Sequence, residues 1–141
     1  MRVVASLERL GDVVDAIDAC VGQEKCVMLF LKGDLASGKT TLTQAVAKAK
    51  GIESEVTSPT FSLQQCYEGE NGNRLYHYDL YRLDEEQFMQ MGLLEEFQKE
   101  GWHFIEWGSE RLANFLASVG YRVVHIHITQ DPQGRCYEIE A

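Results

Sequence analysis

The sequence predicts an α/β fold, a mixed, largely parallel sheet flanked by helices in three layers, and three observations carry that prediction. Apolar runs of strand length alternate with segments whose apolar residues recur at helical spacing. One run, Cys26 to Leu31, is apolar throughout, the pattern of a strand covered on both faces in a parallel sheet. A glycine-rich stretch joins that run to an amphipathic segment, which is a strand-loop-helix unit.

The elements follow in order. After a short apolar start, Ser6 is placed to cap a helix whose Leu7, Leu10, Val13, Val14, Ile17 and Val21 share one face, with Gly22 closing it. Behind the strand 26–31, Thr40 to Lys50 carries Leu42, Ala45, Val46 and Ala49 on one side and ends at Gly51. Phe61, Leu63, Gln65 and Tyr67 alternate with Ser62, Gln64 and Cys66, and the turn 69–73 leads into a strand from Arg74 to Leu80, so this region reads as a hairpin. Asp84 is placed to cap a short helix through Met91. Gly92 interrupts it and Leu93 to Lys99 continues as a second piece. Trp102 to Ile105 forms a strand ending at Glu106, Glu110 to Ser118 a helix, and Tyr121 to Thr129 with Arg135 to Ile139 a hairpin around Asp131-Pro132-Gln133-Gly134.

Composition bounds the function. A chain of 141 residues, 45% hydrophobic and 25% charged, reads as one globular domain. No stretch approaches the about 18 apolar residues of a membrane span, and Glu8 and Arg9 break any signal-like start, so a cytoplasmic location is expected. A net charge of −9 disfavours a broad grip on nucleic acid, which needs clustered Lys and Arg. Cys20, Cys26, Cys66 and Cys136 show neither C-x-x-C nor zinc-finger spacing and read as reduced, mostly packed thiols.

Gly33-Asp34-Leu35-Ala36-Ser37-Gly38-Lys39-Thr40 matches G-x-x-x-x-G-K-[ST] at every fixed position, in strand-to-helix context. In such a loop, backbone N–H groups and the helix dipole converge on a β-phosphate, Lys39 reaches the β and γ oxygens, and the Thr40 hydroxyl is placed to ligate magnesium. The motif specifies the fold further, as a P-loop NTPase-type three-layer sheet. Ala36 stands where many such loops have Gly; a positive φ there would cost roughly 1–2 kcal/mol, which bound phosphate would help offset.

A nucleotide hydrolase also needs a carboxylate at a strand end, to hold magnesium or to orient water. Asp79 and Glu106 both qualify. The segment Thr57-Ser58-Pro59-Thr60-Phe61 reads either as a switch-like sensor of the γ-phosphate or as a loop leading into a strand. His125 and His127 share a strand face and read as packing or solvent contacts, whereas His77 and Arg82, flanking Asp79, stay open. No N-K-x-D guanine reader occurs, and the D-x-x-G at Asp131 to Gly134 reads as a hairpin turn, which disfavours a GTPase. The arginines are spread singly rather than clustered as in a kinase lid, leaving a small-molecule kinase as the alternative.

Together "GDLASGKTT", "TSPTF" (57–61), "HYDLYRL" (77–83), "GLLEEF" (92–97) and "IEWGSER" (105–111) resemble the TsaE (YjeE) family of small bacterial ATPases. The resemblance covers most of the chain. It implies an ATPase, weak alone, required for threonylcarbamoyl modification of the tRNA adenosine beside the anticodon and docked to a TsaB–TsaD pair, with tRNA met indirectly. ATP, ADP and Mg2+ are the implied ligands. The nucleotide-contacting set is then Gly33, Asp34, Leu35, Ala36, Ser37, Gly38, Lys39, Thr40 and Thr41, with Thr60 from the switch-like segment and Trp107. Lys39, Asp79 and Glu106 are the implied catalytic residues, and Thr40, Asp79 and Glu106 the metal set. Ala36 and Ser37 depart from the family's more usual Gly and Ala.

Overall fold

The structure, a computed structural model, describes residues 1–33, 38–52, 64–69, 72–81, 83, 85–90 and 92–141, with the backbone alone at 85, 88 and 89. Seven strands, β1 (Arg2–Ala5), β2 (Cys26–Lys32), β3 (Gln64–Glu68), β4 (Arg74–Asp79), β5 (Gly101–Glu106), β6 (Arg122–Asp131) and β7 (Gly134–Glu140), form one sheet. Their order is β1-β7-β6-β2-β5-β4-β3. The four inner strands β6, β2, β5 and β4 run parallel, while β7, β1 and β3 add antiparallel edges. The sheet is therefore mixed, with its parallel part at the centre. All four parallel strands end at one sheet edge, where open α/β sheets gather ligand-binding residues.

Each face of the sheet carries its own core. On one side α1 (Leu10–Val21) and α2 (Lys39–Ala49) cover Val27, Leu29, Leu31, Leu75, Phe104, Val124 and Ile126. Leu10, Val13, Val14, Ile17 and Val21 of α1 are the buried positions, so the helical spacing marks the packed face. On the other side α4 (Leu93–Glu96) and α5 (Glu110–Ser118) cover Met28, Phe30, Tyr76, Tyr78 and Ile105, with α3 (Glu85–Gln90) preceding them. Strand β2 contributes to both cores through alternate residues, which is why its sequence is apolar without interruption.

Local boundaries differ from the sequence expectation where tertiary pairing intervenes. The chain start is an edge strand, with Val3 opposite Tyr137 of β7. Ser6 makes no side-chain cap; a 3-10 turn over Leu7–Arg9 precedes α1 and leaves Leu7 62% exposed rather than on the packed face. That turn lifts the chain from the sheet edge to the helix layer. Helix α4 stops at Glu96, followed by tight turns in which Gln98 N–H bonds Glu95 O and Lys99 N–H bonds Glu96 O, both at 3.2 Å. The tightening frees Lys99 O to accept from the buried His103 ring at 2.8 Å. The first residues of the expected hairpin strand, 61–63, and the expected cap Asp84 lie outside the described residues. All four cysteines are free, Cys136 buried and Cys66 exposed. Among the described residues, no helix is long and apolar enough to cross a membrane.

Candidate functional site

Helix α2 begins directly behind Gly38, whose φ of 96° is left-handed and suits glycine. No side chain caps the helix, and Leu42 N–H closes on Gly38 O at 2.9 Å. Lys39 in the first turn points back over the sheet edge and is only 5% exposed. Its ammonium lies 3.2 Å from Gly33 O, 3.7 Å from Glu106 Oε1 and 4.3 Å from the centre of the Trp107 ring. Among the described residues these three contacts surround the charge without a close ion pair. Thr40 follows it, half-buried, at the same helix end.

Glu106 ends β5, between Leu31 of β2 and Asp79 of β4 in register. Both acidic strand ends thus sit side by side on the face beneath α2. Glu106 is 5% exposed, and its second oxygen, Oε2, is hydrogen-bonded to Nε2 of His77, which is fully buried. Asp79 is half-buried, and its Oδ1 accepts from Tyr81 N–H at 3.0 Å, holding the turn that follows β4. Lys39, Glu106 and His77 therefore form one buried polar chain at the mouth of the parallel strands.

A cavity of about 320 Å³ opens beside Lys39, lined also by Gly33, Trp107, Ser109, His125 and His127. Trp107 is the residue other than glycine with a positive φ, 62°, among those described. Strain of that kind in a bulky residue costs of order 1–3 kcal/mol and clusters at functional sites. Its ring is 41% exposed and meets the Tyr81 ring edge-on at 4.9 Å. Gly108 follows because a Cβ there would lie 2.5 Å from the Phe30 ring. His125 and His127 are exposed, as expected of solvent contacts, and they line this cavity, the His125 ring tilted against Phe30 at 5.8 Å.

Over residues 4–137 the chain matches the family model described as threonylcarbamoyl adenosine biosynthesis protein TsaE. The chain belongs to the TsaE family. Among curated relatives named tRNA threonylcarbamoyladenosine biosynthesis protein TsaE, that of Haemophilus influenzae is 38% identical over 106 residues, 74% of this chain and 66% of the relative. That of Treponema pallidum is 43% identical over 94 residues, 66% and 67% of the two chains. That of Bacillus subtilis is 41% identical over 80 residues, 57% and 49%. The aligned stretch spans about two thirds of the first two relatives and about half of the third.

In this TsaE-family chain the structure brings Gly33, Gly38, Lys39, Glu106 and Trp107 together, with Asp79 beside Glu106. Thr41 lines a groove between α1 and α2, with Leu7, Gly11 and Gln44. Asp34, Leu35, Ala36, Ser37, Thr60 and the rest of 57–61, and Arg82 lie outside the described residues. Sequence reasoning left His77 open and passed over Arg135. A Cβ on Gly38 would lie 2.2 Å from Arg135 Nη1, so the guanidinium rests against the loop. That Nη1 is buried and has no hydrogen-bond partner among the described residues. Burial pushes the Tyr137 phenol up in pKa, and the adjacent Arg135 opposes the shift. Nothing local marks Arg135, because the β6–β7 hairpin alone returns it to this edge.

The donor set fits a magnesium nucleotide. Among the described residues no group of three or more His, Cys, Asp or Glu is arranged to hold a metal by itself. Magnesium commonly takes one or two carboxylates and completes its shell with water and phosphate oxygens, and Glu106 and Asp79 are two carboxylates paired side by side across β5 and β4. Two cations stand at the start of α2: Lys39, 3.2 Å from Gly33 O, and Arg135, whose Nη1 has no hydrogen-bond partner among the described residues.

Proposed function

We propose that the chain binds ATP with Mg2+ at the loop 33–40, hydrolyses it, and serves threonylcarbamoyladenosine formation in tRNA together with a TsaB–TsaD pair in the cytoplasm. The observation that carries the reading is Lys39, an almost fully buried ammonium held loosely at the loop mouth and facing a strand-end carboxylate. Family membership supplies the biological setting.

In this reading Lys39 and Arg135 draw the phosphates onto the backbone at the start of α2, where the helix dipole favours negative charge. Thr40 and Glu106 would hold Mg2+, with Asp79 beside them; the ion, when bound, neutralises charge on the phosphate oxygens. Asp79 and Glu106 also offer acceptors to orient a water toward the γ-phosphorus. Its oxygen forms the new P–O bond as the bond to the β-phosphate oxygen breaks, its proton passes to the phosphate being released, and ADP and phosphate leave. Trp107 stands at the mouth with its ring 4.3 Å from the Lys39 ammonium, beside the phosphates in this reading.

The test is phosphate release from ATP by the purified chain, alone and with TsaB and TsaD from the same source. Marked stimulation by the pair, absent in Lys39→Ala, supports the reading. ATP binding without stimulation points to another partner or to a phosphoryl acceptor.

A further inference from the structure

Two histidines are fully buried among the described residues, and they are treated differently by their surroundings. His103, on the α4–α5 face, has both ring nitrogens bonded: Tyr78 O–H donates to Nδ1 at 2.7 Å and Nε2–H donates to Lys99 O at 2.8 Å. His77, on the α2 face, uses Nε2 on Glu106 and leaves Nδ1 buried without a partner among the described residues. Its strand presents Leu75, His77 and Asp79 to that face, so an apolar residue would fill the position next to Leu75 and Phe104. A half-bonded buried ring is a standing cost of folding. Among the described residues its polar contact is to the strand-end carboxylate.

We propose that His77 is the positioning residue for Glu106: it fixes Oε2 from below and so holds Oε1 toward Lys39 and the mouth of the site. The register explains how. His77 pairs with Phe104, one pleat below the Asp79–Glu106 pair, which is diagonal reach for a long side chain. Glu106 has the carboxylate of Asp79 as its direct neighbour on one side and the apolar Leu31 on the other. Among the described residues, His77 is the hydrogen-bond partner that holds Oε2 from the sheet beneath. Outer partners of this kind orient a carboxylate and tune what it binds.

The inference rests on the nucleotide reading above, and binding measurements separate the two. Calorimetric titration with a non-hydrolysable ATP analogue, in Mg2+ and in EDTA, gives the affinity gain due to Mg2+. Failure of the native chain to bind the analogue in Mg2+ overturns the nucleotide reading itself. With binding established, His77→Asn, whose amide is too short to reach Glu106, is expected to lose about 10-fold of the Mg2+ gain while affinity in EDTA stays within about twofold. His77→Gln, whose amide reaches the Nε2 position, is expected to keep the gain within about threefold. In a Glu106→Gln background, His77→Asn is expected to change nothing further, because the residue acts through that carboxylate. Full Mg2+ gain in His77→Asn, equal loss in the Asn and Gln variants, or the same loss in the Glu106→Gln background each overturns the proposal. Should His77→Asn fail to fold, His77→Leu, which fills the place next to Leu75 and Phe104 without a polar group, takes its part: loss of the gain there with retention in His77→Gln supports the positioning role, and a gain retained in His77→Leu overturns it.

Discussion

Lys39 shows how much one residue's surroundings can state. An ammonium that is 5% exposed has a carbonyl, a carboxylate at 3.7 Å and an aromatic face around it, and under the nucleotide reading proposed above it would exchange these partners for phosphate oxygens. Lys39→Ala is expected to weaken ADP binding at least about 100-fold, the scale of losing charge-assisted hydrogen bonds. Trp107 supplies the measurement: its fluorescence should change on ADP addition in a Trp102→Phe background, and an unchanged titration in Lys39→Ala would remove the lysine from the site. Glu106→Ala and Asp79→Ala are each expected to cut ATP turnover by at least ~100-fold with the fold retained, since both carboxylates would act on the transition state. Turnover near normal in both variants would make them ordinary strand termini.

At the scale of elements, α5 and the β4–β5 pair carry separable stability. Ser109 Oγ accepts from Leu112 N–H at 3.0 Å and caps a nine-residue helix. Ser109→Ala is expected to cost about 1 kcal/mol in urea unfolding, and no change would show the cap replaced by water. Across β4 and β5, burial pushes the His103 ring down in pKa to about 4, from an ordinary value of 6.5. Between those values the unfolded chain binds more protons than the native one, so stability falls as pH drops from about 6.5 toward 4. The loss reaches at most about 3 kcal/mol. Unfolding free energies across that range should show it in the native chain and a flatter profile in His103→Gln; parallel profiles would mean that His103 does not titrate with folding.

At the scale of the whole molecule, the site is a property of the sheet edge rather than of any one segment. Four parallel strands end together, and the β6–β7 hairpin turns at that edge and brings Arg135 back against Gly38. Arg135→Ala is expected to lower ADP affinity about tenfold, one charged hydrogen bond's worth, while unfolding stays cooperative. Unchanged affinity would make the guanidinium a packing residue of the β7 edge.

What the sequence determined by itself follows from local chemistry. The unbroken run of β2, the apolar face of α1 and the two acidic strand ends are written in contiguous residues, and each reappears in place. The family could be named from motif strings for the same reason. What only the tertiary structure decided depends on residues far apart in the chain. The edge strand β1 exists because β7 offers it a ladder, and Ser6 loses its cap because that pairing redirects the turn. His77 acquires a partner only when β4 and β5 pair in register, and Arg135 meets the loop only when a hairpin folds back. Spacing along a chain encodes the bonds a segment makes with itself, whereas those contacts exist only once the sheet has set which distant residues lie side by side.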